Sequence, residues 1–286
     1  METLKIAIPN KGRMSEKMLA LIERAGLHLL DKKDRCLSTA TEDGRYSIIF
    51  LRTQDIPKFV ESGTADIGFT GIDVTEEACS DVERLLDLDF GQCNMVLAIK
   101  DEAPYKTPEE LPDNLKIVTS FPNITKKYFD KLGKNVKIIE VAGATEITPR
   151  LGLADAIVDI TSTGSTLKMN KLRIIDSFLH SSATIVARKD LRDEAPEEIE
   201  TFIRAINSAI VAENKKYLLA NFPKKSLSEI ADLGLKSPTV TTLAGKDDEV
   251  AIHIVINKQE VYSIVDKLKK LGASGILIMN VDQVIE

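Results

Sequence analysis

Residues 155–166 read Asp155-Ala156-Ile157-Val158-Asp159-Ile160-Thr161-Ser162-Thr163-Gly164-Ser165-Thr166. The first half is an apolar run, Ala156 to Val158 with Ile160, flanked by Asp155 and Asp159. It reads as the end of a buried parallel strand. The second half sets hydroxyls around Gly164, which cannot continue a strand, and Leu167-Lys168-Met169 resume as a helix. A strand, a Ser/Thr/Gly turn and a helix start form an anion cradle, with backbone N–H groups, hydroxyls and the helix dipole favouring negative charge. The two acids can accept hydrogen bonds from vicinal sugar hydroxyls, so the stretch as a whole suits a sugar phosphate. The competing account is a plain turn with a helix cap. Two strand-end acids and five hydroxyls within six residues favour the cradle.

Outward from this stretch the chain alternates strands and helices. A short strand, Leu4 to Ile8, runs into Pro9-Asn10-Lys11-Gly12-Arg13. Met14, Met18, Leu21, Ile22 and Ala25 then recur at helical spacing up to Gly26. Lys11, Gly12 and Arg13 therefore lie on a flexible turn at a helix start, which suits a polyphosphate as well as it suits a solvated basic turn. Ser47 to Leu51 is a strand ending at Arg52. Asp55 is placed to cap a helix over Ile56 to Glu61. Ala65 to Phe69 is a strand running into Thr70-Gly71-Ile72-Asp73. Arg52 and Asp73 thus stand at strand ends, where ligands of open α/β sheets bind; a surface ion pair is the alternative for either.

Residues 82–100 read as extended and long enough to pass between domains. A second series follows a loop with Pro104, Pro108 and Pro112. Its parts are a strand at 116–118, a helix from Asn123 to Phe129 closed near Gly133, a strand at 136–141, and a short helix around Pro149 to Leu153 capped by Thr148. The 155–166 stretch comes next, then strands at 172–175 and 177–188. Two extended crossings between two βα lobes predict a cleft with a two-stranded hinge. Glu197 to Asn214 is a long amphipathic helix. The tail gives a strand at 217–222, a short helix at 227–233 closed by Gly234, and strands at 239–243 and 250–256. A helix at 261–271 and a strand at 276–279 complete a ferredoxin-like βαββαβ order.

The chain has 286 residues, 43% hydrophobic content and a formal net charge of −6 spread over both signs. That balance argues against a nucleic-acid binder. Cys36, Cys79 and Cys93 are odd in number and lack C-x-x-C spacing, which points away from a disulfide framework or zinc site and towards a reducing compartment. The opening strand is not a signal peptide, and no apolar run reaches membrane-spanning length. The expectation is a cytoplasmic protein that engages neither nucleic acid nor membrane. His28, His180 and His253 read as structural or surface residues. Lys126-Lys127 reads as a solvated helix face, with a triphosphate contact as the alternative.

The segments Gly152 to Asp159 running into Thr161 to Leu167, Ala65 to Asp73, Ala7 to Arg13, and Pro238-Thr239-Val240 together resemble the long form of ATP phosphoribosyltransferase. The resemblance covers nearly the full length. Position 165 departs slightly, with Ser where some members carry Ala, in a loop that works mainly through backbone N–H groups. The resemblance implies an α/β fold with a two-lobed, periplasmic-binding-protein-like catalytic region and a C-terminal ferredoxin-like regulatory domain. The divisions it implies are 1–94 with 178–211 for the ATP lobe, 95–177 for the lobe that binds phosphoribosyl pyrophosphate (PRPP), and 212–286 for regulation. It implies transfer of phosphoribosyl from PRPP to N1 of the ATP adenine, with release of pyrophosphate, the first step of histidine biosynthesis.

The carry-over by residue gives Asp155, Asp159, Thr161, Ser162, Thr163, Gly164, Ser165 and Thr166 for PRPP. It gives Lys11, Gly12, Arg13, Arg52 and Asp73 for ATP, and Thr239, Ala273 and Ser274 for the inhibitor histidine. Mg²⁺ is expected to arrive on the substrate phosphates, without assigned protein ligands. A homo-oligomer, from dimer to hexamer, is implied. The rival accounts are a non-catalytic small-molecule receptor with the same two-lobed cleft and a phosphoribosyltransferase acting on a free base. Two separate anion sites facing one cleft favour a two-substrate enzyme, and the Lys11–Arg13 turn favours a substrate with phosphates of its own.

Overall fold

The computed structural model describes residues 3–30, 36–233, 235 and 238–285, with the side chains of all of these except Arg13, Ala231, Asp232 and Leu233. In chain order the elements are β1 (Leu4–Pro9), α1 (Arg13–Arg24), β2 (Ser38–Ala40), β3 (Tyr46–Leu51), α2 (Ile56–Glu61), β4 (Ile67–Gly71), α3 (Ile72–Ala78), β5 (Val82–Asp87) and β6 (Cys93–Lys100). Next come β7 (Leu115–Thr119), α4 (Pro122–Lys131), β8 (Val136–Glu140), β9 (Ala156–Thr161), α5 (Ser165–Met169), β10 (Leu172–Ser181) and β11 (Ala183–Arg188). The chain closes with α6 (Leu191–Glu194), α7 (Pro196–Glu213), β12 (Lys215–Pro223), β13 (Thr239–Leu243), β14 (Lys246–Asn257), α8 (Val261–Lys270) and β15 (Ser274–Asn280). Two compact units result, one of Met1–Leu19 with His28–Pro196, the other of Ala20–Leu27 with Glu197–Glu286.

The first unit holds two sheets. One has the order β2-β3-β1-β4-β11-β5, the other β10-β6-β9-β7-β8. In the first, β1 lies parallel to both β3 and β4, and β11 runs antiparallel beside β4. In the second, β9 is parallel to β7 but antiparallel to β6. The opening stretch is therefore only half in a parallel environment, which corrects the expectation for it. Ala156, Ile157 and Val158 are fully buried, and burial on both faces demands an apolar run whatever the direction of the neighbour. Ala156 and Val158 pack with Ile124 and Phe129 of α4, while Ile157 packs with Leu167 of α5. One helix thus covers each face at the strand that carries the hydroxyl loop.

The extended stretch over residues 82–100 is two strands in two sheets, with residues 88–92 crossing between them. Ser182 makes the return crossing. The crossings bond to each other: Leu88 N donates to Ala183 O at 2.8 Å, and Ala183 N donates to Phe90 O at 3.0 Å. This is the two-stranded hinge. Gly91 sits in it at φ 71, a backbone conformation that suits glycine.

Local expectations differ from the structure at several points. Asp55 stands at the start of α2 in a helical conformation and makes no side-chain cap bond, because a 3-10 turn over Thr53–Asp55 leads directly into the helix. The helix expected around Pro149 to Leu153 is absent. A 3-10 turn over Thr145–Ile147 stands just before it, and Thr148 Oγ1 donates back to Thr145 O at 2.6 Å instead of capping forward. Helix α3 follows β4 without a break and has no counterpart in the expected elements; it ends not on glycine but on Cys79, left-handed at φ 51. The short strand β2 also escaped the hydrophobic pattern.

The second unit has the sheet order β13-β14-β12-β15 with all pairs antiparallel, which is the ferredoxin-like topology. Leu218, Ala220 and Phe222 of β12, Ile252 and Ile254 of β14, and Ile264 and Leu268 of α8 form its core. The first of the two helices in the βαββαβ order is a 3-10 segment, Lys224–Leu233; Gly234, expected as its stop, lies outside the described residues. No helix among the described residues is long and apolar enough to cross a membrane.

Candidate active site

The first lobe presents its cations at neighbouring strand ends. Pro9 of β1 is in register with Leu51 of β3, and Asn10 N donates to Leu51 O at 2.7 Å. Lys11 and Arg52 follow directly, on strands about 4.8 Å apart. Both are exposed, and among the described residues neither has an ion-pair partner. Gly12 takes φ 90, so a side chain there would strain the turn. The Arg13 side chain lies outside the described atoms.

Asp73 follows β4, the other neighbour of β1. It is 8% exposed in the first turn of α3. Its N–H donates to Ser181 Oγ at 3.0 Å, and that hydroxyl donates to Asp73 Oδ1 at 2.6 Å. Ile72 N donates to Ser182 O at 3.0 Å. The carboxyl end of β4 is thereby tied to the hinge, and Gly71 makes room for it: a Cβ there would lie 2.4 Å from Asp73 Oδ1. Cys93 lies beside this cluster. Burial pushes its thiol up and Asp73 adds to the shift, against a downward pull from Ser181. A thiol held protonated in this way is a poor nucleophile.

In the second lobe the hydroxyl loop follows β9. Thr161 Oγ1 accepts from Gly164 N at 2.8 Å, and Thr163 Oγ1 lies 3.0 Å from Ser165 Oγ. Gly164 adopts φ 72 at the start of α5, turning the chain so that Ser162, Thr163, Ser165 and Thr166 remain exposed. Ser162 Oγ donates to Gln92 O at 3.3 Å, so the carboxyl end of β9 also abuts the hinge.

Asp159 sits at this end of β9. Its Oδ1 accepts from Ile160 N at 2.7 Å, and its Oδ2 accepts from the Thr145 hydroxyl. Burial pushes its carboxyl above the usual carboxylate range. Thr145 and Ile160 N–H pull it down, and the neighbouring Glu146 charge pushes it further up. Asp155 does not join this group. It precedes the amino end of β9, roughly 20 Å from Thr161 along the strand. There its Oδ2 accepts from Lys116 N at 2.9 Å, and its own N–H donates to Lys116 O at 2.9 Å. Its flanking position in sequence suggested a pair with Asp159, but the strand separates them, and Asp155 registers β9 against β7.

Thr145 and Glu146 escaped the sequence reading. The available signal was Gly143-Ala144-Thr145-Glu146 after a strand, where Ala144 takes a left-handed φ of 54. In the second unit, Thr239 is exposed on β13, Ala273 is buried, and Ser274 begins β15. These are opposite edge strands, about 14 Å apart across three strand spacings, so one copy of the sheet does not bring them together.

Both lobes therefore turn strand carboxyl ends towards one hinge, with free cations on the first and a hydroxyl loop with a buried acid on the second. The sequence profile described as ATP phosphoribosyltransferase matches residues 52–208, and that described as its C-terminal domain matches residues 212–283. The chain belongs to the ATP phosphoribosyltransferase family. It is 42% identical over 286 residues to the ATP phosphoribosyltransferase of Haloarcula marismortui, covering 99% of this chain and 100% of that one. The enzyme of Methanocaldococcus jannaschii is likewise 42% identical over 288 residues, at 99% and 100% coverage. Among solved structures, the HisG:HisZ complex of ATP phosphoribosyl transferase from Thermotoga maritima matches with TM-score 0.63 and 31% identity, covering 72% of this chain and 97% of that one. Membership with a C-terminal domain identifies the long form, and its activity is transfer of phosphoribosyl to ATP in the first step of histidine biosynthesis.

Proposed function

We propose that the second lobe binds PRPP and the first binds ATP, and that transfer takes place between them. The observation that supports this most is the shared hinge: the carboxyl end of β4 bonds it at Ser181 and Ser182, and that of β9 bonds it at Gln92. In this reading the exposed hydroxyls and first-turn N–H groups of Ser162 to Thr166 take the 5-phosphate. Asp159 accepts the ribose hydroxyls, with Thr145 holding its second oxygen. Lys11 and Arg52 take the ATP phosphates, with Gly12 and Arg13 shaping the turn; Asp73 acts from the hinge by setting the end of β4.

The ring nitrogen N1 brings its own lone pair, so the chain need supply no nucleophile. The C1–O bond to pyrophosphate breaks as the C1–N1 bond forms, and positive charge develops on the ribosyl carbon. Asp159 in its ionised form would stabilise that charge, and the two lobes would supply alignment. Mg²⁺ bound to pyrophosphate would neutralise the leaving group. Among the described residues no cluster of three or more His, Cys, Asp or Glu could hold a metal ion. Asp159 and Glu146 are the carboxylates beside the loop that could approach one carried by substrate.

Mixing the chain with ATP, PRPP and Mg²⁺ should yield phosphoribosyl-ATP and pyrophosphate; binding of both ligands without product would refute the catalytic assignment. The reading also takes 212–286 as a histidine-sensing domain, in a cytoplasmic homo-oligomer of up to six copies. Removing residues 212–286 should abolish inhibition by histidine, and a soluble truncated enzyme with unchanged sensitivity would refute that part.

A pH dependence follows from Asp159. The carboxylate must be ionised to accept two hydroxyls, and its folded value lies above the ordinary one, so PRPP affinity should fall on acidification earlier than for an ordinary aspartate. The Glu146 charge contributes to that upward shift. Glu146→Gln should therefore move the acid limb of PRPP affinity to lower pH, as read by titration across the acidic range; a limb that stays in place or moves up would contradict the assignment.

A further inference from the structure

Helix α4 starts at the carboxyl end of β7 in the second lobe, and its N-cap residue, Phe121, gives it no side-chain cap. The N–H groups of its first turn have no acceptor within the helix. Two of them reach the other lobe. Asn123 N donates to Glu77 Oε1 and Ile124 N to Glu77 Oε2, each at 3.0 Å. Asn123 Nδ2 adds a bond to Glu77 O at 2.9 Å. Further along α4, Lys127 Nζ lies 3.7 Å from Glu76 Oε2. Glu76 and Glu77 end α3 of the first lobe. A carboxylate that accepts two N–H bonds at the positive end of a helix makes the stronger kind of hydrogen bond.

The two helices joined this way each start at a working part of the site. The first turn of helix α3 holds Asp73, bonded by Ser181 next to the hinge. Helix α4 opens beside β7, whose Thr119 pairs with Val158 of β9, next to Asp159. Glu77 therefore fixes the β7–α4 loop of one lobe against the hinge-bound helix of the other.

We propose that Glu77 is a positioning residue of the transferase, capping α4 across the lobes and thereby setting the spacing at which the acceptor on the first lobe meets the donor on the second. This rests on the assignment of the two substrates to separate lobes. Glu77 touches neither substrate in this account, so its loss should slow the joining of bound substrates without weakening either one's binding.

The test compares single-turnover rates at saturating ATP and PRPP with calorimetric affinities for each substrate alone, on the full chain. Glu77→Ala should slow the single turnover about tenfold or more, the equivalent of about 1.4 kcal/mol, with both affinities held within about twofold of the parent. Glu77→Gln keeps an acceptor but loses the charge, and should fall between. Glu76→Ala breaks only a half-exposed ion pair, and should leave the rate within about twofold. A Glu77→Ala rate equal to the parent's, or one whose fall is matched by lost substrate affinity or lost folded protein, would overturn the proposal. Should Glu77→Ala fail to fold, Glu77→Gln carries the same comparison. The assignment of substrates to lobes is judged separately, through variants of Asp159 and Lys11.

Discussion

Replacing Asp159 by Asn should lower kcat/KM for PRPP by about 10²–10³ while leaving the protein no less stable at neutral pH. The first effect follows from what the side chain would lose. An amide offers one acceptor oxygen where the carboxylate offers two, one of which already serves Ile160 N and the other Thr145. A sugar diol needs acceptors, and a positive ribosyl carbon needs charge. The second effect follows from burial. A carboxyl whose folded value is raised contributes less to stability once pH passes its unfolded value, because the charged form is disfavoured in the fold. Removing the charge removes that penalty at neutral pH. Thermal melts beside steady-state rates would show the pair of effects. A variant that loses activity only in proportion to lost folded protein would mean that Asp159 is structural.

The second large effect is expected in the first lobe. Lys11→Ala combined with Arg52→Ala should reduce kcat/KM for ATP by roughly 10²–10⁴, since a hydrogen bond to a charged group contributes about 1.5–3 kcal/mol. Both side chains are exposed and lack ion-pair partners among the described residues, so the fold should tolerate their loss. PRPP affinity should not change. Equal losses for both substrates would show that these cations serve the whole cleft rather than ATP, and a rate unchanged for ATP would remove them from the site.

The alternation of strands and helices was legible because each apolar run obeys a period, and the loop after β9 was legible because a run of hydroxyls around Gly164 cannot continue a strand. The direction of the strands beside β9 was not, since Ala156 to Val158 must be apolar beside either kind of neighbour once both faces are covered. Asp155 and Asp159 look equivalent in sequence, yet a strand places them at opposite ends. Only the register Ile117↔Ala156 shows that Asp155 meets the backbone of β7. Helix α3 is short and ends on Cys79 instead of glycine, so it left no stop signal. Its residue Glu77 bonds the N–H of Asn123 in the first turn of a helix, 46 positions later, a relation no local pattern contains. Thr239 and Ser274 illustrate the same limit: resemblance groups them, but the β13-β14-β12-β15 order holds them on opposite edges.

The proposed division gives each lobe one substrate, with a site complete only when both are present. Calorimetric titration of Asp159→Asn with PRPP and, separately, with ATP separates the two substrates. PRPP binding should be lost while ATP binding keeps its affinity. Retention of PRPP binding, or loss of both ligands from a folded variant, would contradict it.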